Sequence, residues 1–147
     1  MDRIDIGTWA NISAEGWSSL LLGNGASIAI HKEFAYPTLH GIADAKGLLA
    51  TTAPIFAKLG TTDFEHVLLA CWYAEHVNGA LGTPSAAISA AYEELRTALI
   101  EAVHSVHPVH ADVAADLQRI GAFASVFPTV VSLNYDLTLY WAMLLFN

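Results

Sequence analysis

The chain has 147 residues, 14 of them acidic and six basic, for a net charge of −8. With 54% hydrophobic and only 14% charged residues, against a usual charged share of about 25%, it is a folding sequence rather than a disordered one, and one domain with its own core is expected. A single cysteine, Cys71, excludes an internal disulfide framework and argues against a cysteine-based zinc site, and the six scattered basic residues form no run that could neutralise a phosphate backbone, so no direct nucleic-acid partner is expected.

The N-terminal Met1-Asp2-Arg3-Ile4-Asp5 lacks a positive start followed by an apolar stretch, and no apolar run approaches the roughly 18 residues of a membrane span. A cytoplasmic location without membrane contact is therefore expected, and the excess of apolar residues must be buried in a core, a partner or a self-interface. Ile4-Asp5-Ile6 is at most a minor strand. The first strong strand signal is Ser18 to Leu22, a short apolar run that stops at Gly23-Asn24-Gly25-Ala26-Ser27 and reads as a buried strand turning tightly into a helix.

A long helical stretch follows. Asp63 caps a helix expected to run to Asn78, with Phe64, Val67, Leu68, Cys71 and Trp72 on one face and Gly79 as its stop. Thr83-Pro84 starts the next, in which Ile88, Tyr92, Leu95, Leu99 and Val103 recur at helical spacing. A third is expected from about Ala111 to Ala124, with Val113, Leu117 and Ile120 inward. The second buried strand is Thr129 to Leu133, which is β-branched, follows Pro128 and ends at Asn134-Tyr135-Asp136. Leu137 to Phe146 forms a last, very apolar helix.

The expected fold is α/β and mostly helical: a partial Rossmann-like parallel sheet of two or three strands with a helical insertion over about residues 35–126, in a single domain over 1–147. Such a sheet normally has five or six strands with helices on both faces, so the chain reads as the front half of a fold.

Two motifs carry candidate chemistry. Gly23-Asn24-Gly25-Ala26-Ser27 at a strand-to-helix junction puts small residues where backbone meets a ligand closely, with helix N-terminal amides and the Ser27 hydroxyl placed to hold a phosphate. It is half of a dinucleotide fingerprint, since Ile28 stands where a third glycine belongs, and a plain tight turn explains it equally well. Asn134 and Asp136 lie at the carboxyl end of a strand, the edge where open α/β sheets bind ligands; helix capping by Asp136 and a turn bond from Asn134 explain them as well.

Together, a strand ending in Gly-x-Gly-x-Ser, a helical insertion and a strand ending in Asn-x-Asp resemble the sirtuin-like NAD-binding superfamily. Leu20 to Ile28, Phe34-Ala35-Tyr36 and Leu133 to Trp141 look like a bacterial family of uncharacterised sirtuin-like proteins, from about Trp17 to the C-terminus. Relatives of this kind include NAD-cleaving domains of antiphage defence systems. The resemblance implies NAD, or a related adenine dinucleotide, as ligand. It places Gly23, Asn24, Gly25 and Ser27 at the diphosphate, Asn134 beside the nicotinamide ribose and Asp136 at the nicotinamide end. It implies an NAD glycohydrolase releasing nicotinamide and ADP-ribose through an oxocarbenium-like centre.

The chain departs from classical sirtuins. Leu133 stands where they have glutamine, which argues against protein deacetylation, and one cysteine cannot supply their zinc site. Their catalytic histidine lies beyond the second motif, and His40 before that motif does not take its role. The alternative from a different class is a catalytically inactive interaction module or nucleotide sensor, associating with itself or a partner through the apolar C-terminal helix.

The histidines add little. His104, His107 and His110 recur every three residues, which fits a shared ion or a helix end, but Pro108 interrupts them and no metal is expected. His66 and His76 sit about 15 Å apart along one helix and cannot chelate together. Cys71, on an apolar helical face, reads as an inert core thiol.

Overall fold

The computed structural model describes residues 8–145. The elements run α1 (Trp9–Ile12), β1 (Ser19–Leu22), α2 (Asn24–Ile30), a 3-10 turn (Lys32–Phe34), α3 (Tyr36–Ala45), α4 (Ala53–Leu59), α5 (Phe64–Leu81), α6 (Ala86–Val106), α7 (His110–Ala124), β2 (Thr129–Ser132) and α8 (Thr138–Leu144). The fold is the mostly helical α/β arrangement expected. Among the described residues its sheet has two strands, parallel, with Ser19 opposite Thr129 and Leu22 opposite Ser132. Ile4-Asp5-Ile6 and Phe146 lie outside the described residues.

The strands are not buried as their composition predicts. Leu21 is 63% and Val131 45% exposed. The helical insertion packs mainly on itself and leaves this part of the sheet uncovered. Phe34, Leu39, Phe56, Phe64, Val67, Leu95 and Leu99 close one core between the 3-10 turn and α6, and Val113, Leu117 and Ala142 form a smaller one where α7 meets α8.

Within the insertion, the capping and periodicity signals hold at the starts better than at the stops. Asp63 caps α5 by accepting from the backbone N–H groups of Glu65 at 2.8 Å and His66 at 3.2 Å. The helix runs past Gly79, however, and ends at Gly82, whose left-handed φ of 68° lets Thr83 N–H bond back to the Asn78 carbonyl at 2.8 Å. A glycine within a helix costs stability but does not stop it; the backbone reversal does. α6 starts after Ser85 rather than at Thr83-Pro84, because the Ser85 carbonyl accepts the first helical bonds from Ile88 and Ser89. α8 begins at Thr138, one residue later than expected. Trp72 is exposed rather than inward, and its ring lies against His76 with centroids 3.9 Å apart. Cys71 is buried, and burial pushes its thiol pKa up.

One side chain ties the insertion together. The Glu94 carboxylate on α6 accepts from Thr51 N–H at 3.0 Å and Oγ1 at 2.5 Å, and from Thr52 N–H at 3.1 Å and Oγ1 at 2.9 Å. This fixes the start of α4 against α6. Burial raises the Glu94 pKa, but the bonds from Thr51 and Thr52 outweigh it and hold the carboxyl below its usual range. A depressed folded-state pKa contributes stability above the unfolded value of about 4.3 and loses it as pH falls through the folded pKa. Glu94→Gln is expected to cost about 1 kcal/mol at pH 7. Denaturant melts of both proteins at pH 7 and in acid test this: the gap should close as the pH drops below about 4, and an equal gap at both pH values contradicts it.

Candidate functional site

Parallel pairing of β1 and β2 places their carboxyl ends side by side, so the two segments that leave them, 23–27 and 134–138, meet at one edge. Their meeting point is Ser27, which is fully buried although 109 residues separate it from Asp136. The Ser27 hydroxyl donates to Asp136 Oδ2 at 2.6 Å, and the Asn134 side-chain amide donates from Nδ2 to Ser27 Oγ at 2.6 Å. The other Asp136 oxygen, Oδ1, accepts from Thr138 N–H at 2.9 Å and from the Thr138 hydroxyl.

This arrangement combines both sequence readings of the second motif. Asp136 does hold the first turn of α8, as a capping residue would, and the same carboxylate grips Ser27 of the glycine motif. Asn134 makes no side-chain turn bond: its amide crosses to Ser27, and only its backbone N–H bonds locally, to Ser132 Oγ at 3.1 Å.

Because Nδ2 of Asn134 faces Ser27, Oδ1 is the opposite end of the amide, and it is a buried acceptor with no hydrogen-bond partner among the described residues. A buried carbonyl oxygen left unpaired costs on the order of 1–3 kcal/mol, so a hydrogen-bond donor such as a water molecule is favoured at this position. Asn134 lines a small cavity of about 20 Å³, together with Asn24, Phe34, Tyr36, Glu65 and Asp136. That volume suits a single water molecule.

The Ser27 hydroxyl, expected at the diphosphate, lies inside the protein: its Oγ is engaged on both sides and closed to solvent, and it joins the two motifs. Asn24 is partly turned inward too, donating from Nδ2 to the Phe34 carbonyl at 3.1 Å. Gly23 and Gly25 remain exposed, and a Cβ at either would meet nothing within 4 Å. Neither has a positive φ. Glycine is thus required there neither by the backbone nor by a neighbour. Gly23 at the start of α2 makes no side-chain cap.

Three residues at the site have no role assigned from the sequence, although Tyr36 and Tyr135 lie within its motifs. Glu65 reads as an ordinary acid in the first turn of α5, and only the packing of α5 beside the two strand ends brings it to the cavity. Tyr36 is raised well above its usual pKa by burial, then by a side-chain hydrogen bond to Glu65 and that group's charge. Tyr135 is raised by burial, then by the charges of Glu65, Tyr92 and Asp63. Both phenols therefore stay protonated at neutral pH. His107 reaches the same loop: Leu137 N–H donates to its Nε2 at 3.1 Å. Among the described residues no three His, Cys, Asp or Glu side chains gather as a metal site, and His107 is turned to Leu137 and not toward its histidine neighbours.

The model of a family described as a domain of unknown function (DUF4917) matches residues 20–146, from the start of β1 almost to the end of the chain. No curated protein and no solved structure matches the chain.

Removing the Ser27 hydroxyl leaves an amide and a carboxylate oxygen unpaired in the interior. Ser27→Ala is expected to cost about 2 kcal/mol, seen as a fall in Tm of roughly 4–8 °C. An unchanged Tm contradicts the place given to this hydroxyl.

Proposed function

We propose that this chain, which belongs to the DUF4917 family, binds NAD at the joined ends of β1 and β2 and hydrolyses it to nicotinamide and ADP-ribose. The observation that carries the reading is the buried Ser27 bridge, which brings the two motifs of the sirtuin-like resemblance into one hydrogen-bonded unit. Support also comes from the unpartnered Asn134 Oδ1 beside a cavity the size of one water.

In this reading the water donates a hydrogen bond to Asn134 Oδ1, which orients its lone pair toward C1′ of the nicotinamide ribose. The C1′–nitrogen bond breaks and its electron pair leaves with nicotinamide, neutralising the pyridinium. Water oxygen bonds to C1′, and one water proton passes to solvent. Asp136, with both oxygens engaged, holds Ser27 and through it the Asn134 amide and acts as a positioning residue. Glu65, across the same cavity, is the carboxylate placed to stabilise positive charge developing on the ribosyl centre. The backbone at Gly23 and Gly25 lies open to the diphosphate. Cleavage of the common nucleotide pool fits a cytoplasmic protein of bacterial antiphage defence; no helix among the described residues is long and apolar enough to cross a membrane.

A second reading is favoured by a separate observation. On α8, Tyr140 and Leu144 are exposed, Leu144 by 58%, and Leu145 follows them. Such a stripe suits a self-interface or protein partner, with or without NAD chemistry. Light scattering across micromolar concentrations tests the self-interface, and a strictly monomeric particle contradicts it.

The enzymatic reading is tested by incubating the protein with millimolar NAD and following nicotinamide and ADP-ribose by chromatography. Wild type should release both, and Asn134→Ala should lose on the order of a hundredfold or more in rate while remaining folded. Equal release by both proteins, or none by a folded wild type, contradicts it. Gly25→Ala separates binding from folding. A Cβ there meets open space within a helix, so Tm should hold or rise, whereas NAD affinity should fall at least tenfold; unchanged affinity removes this glycine from the site.

A further inference from the structure

Beside the water-sized cavity lies a larger cleft of about 480 Å³, between the C-terminal end of α6 and the loop that leads into α8. Val103 and Tyr135 line both, so the two share a wall. The cleft's volume lies within the range of small-molecule pockets, which is roughly 300–1,000 Å³. No carboxylate lines it, although the chain as a whole carries a charge of −8. Its walls are instead rich in flat rings: His104, His107, Tyr135 and Trp141.

These rings are not equivalent. His107 is fixed, with Nε2 accepting from Leu137 N–H at 3.1 Å and its ring edge-on to Trp141 at a centroid distance of 4.6 Å. His104 is exposed and makes no hydrogen bond among the described residues, so both of its ring nitrogens are available. An aromatic wall with one free imidazole matches a flat ring that carries nitrogen or amide groups on its edge.

We propose that this cleft is a subsite for a planar nitrogen heterocycle, recognised by His104 and packed against Tyr135, His107 and Trp141. The inference rests on the NAD reading only in taking the ring to be part of the same ligand. A dinucleotide offers two such rings, adenine and nicotinamide, and the test separates them.

Binding of AMP and of nicotinamide to the full chain is measured by calorimetry for wild type, His104→Ala and Ile100→Arg. Ile100 is exposed on the cleft's rim and lies outside the hydrogen-bonded Ser27 unit, so arginine there fills the cleft without entering the core. At least one probe should bind wild type, weaken three- to tenfold in His104→Ala and weaken more than tenfold in Ile100→Arg. The probe that binds identifies the ring. Failure of both probes to bind at millimolar concentration overturns the subsite, as does binding unchanged in both variants. If the probes bind in the cleft while NAD is not cleaved, the subsite stands and the hydrolase reading falls. If NAD is cleaved with the same KM by Ile100→Arg and wild type, the hydrolase reading stands and the subsite falls.

Discussion

A serine hydroxyl held between a carboxylate and an amide, itself fully buried, joins two segments of the chain that more than a hundred residues separate. The Asp136, Ser27 and Asn134 bonds are the side-chain link between the turn after β1 and the turn after β2. Buried polar groups of this kind have one satisfactory arrangement, because each alternative rotamer strands a donor or acceptor in a medium that cannot solvate it. The link therefore sets more than distance. It directs the Asn134 nitrogen to Ser27 and leaves the oxygen without a partner among the described residues. The same carboxylate organises the first turn of α8, so the site and the helix that carries the exposed apolar stripe share one anchor.

The rest of the structure places this link rather than forming it. The helices from α3 to α6 form a body with its own core and contribute Tyr36 and Glu65 to the cavity, while α7 packs against α8. The two-stranded sheet is left with Leu21 and Val131 at the surface, whereas parallel strands are ordinarily covered on both faces. Together with α8, this exposed apolar surface is where the second functional reading gains its weight. A ligand at the strand ends and a partner on α8 would both act on the segment from Asn134 to Thr138.

Much of this was legible in the sequence where local chemistry decides the outcome. The strand positions followed from short β-branched and apolar runs bounded by glycine and by Asn134, and their parallel pairing from the helical stretch between them. The Asp63 cap was readable because a carboxylate two or three residues before free N–H groups has one obvious use. Helix ends were less so, since Gly79 and Gly82 look alike in a sequence and only the positive φ of Gly82 distinguishes them. Strand burial was misread because composition states what a strand could bury and not what covers it. The roles of Ser27 and Glu65 were hidden for a deeper reason: a serine in a glycine-rich turn and a glutamate in a first helical turn both have ordinary local uses, and only tertiary packing turned one inward and the other toward the cavity.

The most direct measurement of the central claim is a titration of isotope-labelled protein with NAD, followed by amide-resolved NMR. If the joined strand ends are the nucleotide site, the backbone N–H of Gly25 and the side-chain NH₂ of Asn134 shift together along one saturable curve, and Asp136→Asn abolishes both shifts while the spectrum stays folded. Silence at these two groups, or shifts confined to distant helices, contradicts the account.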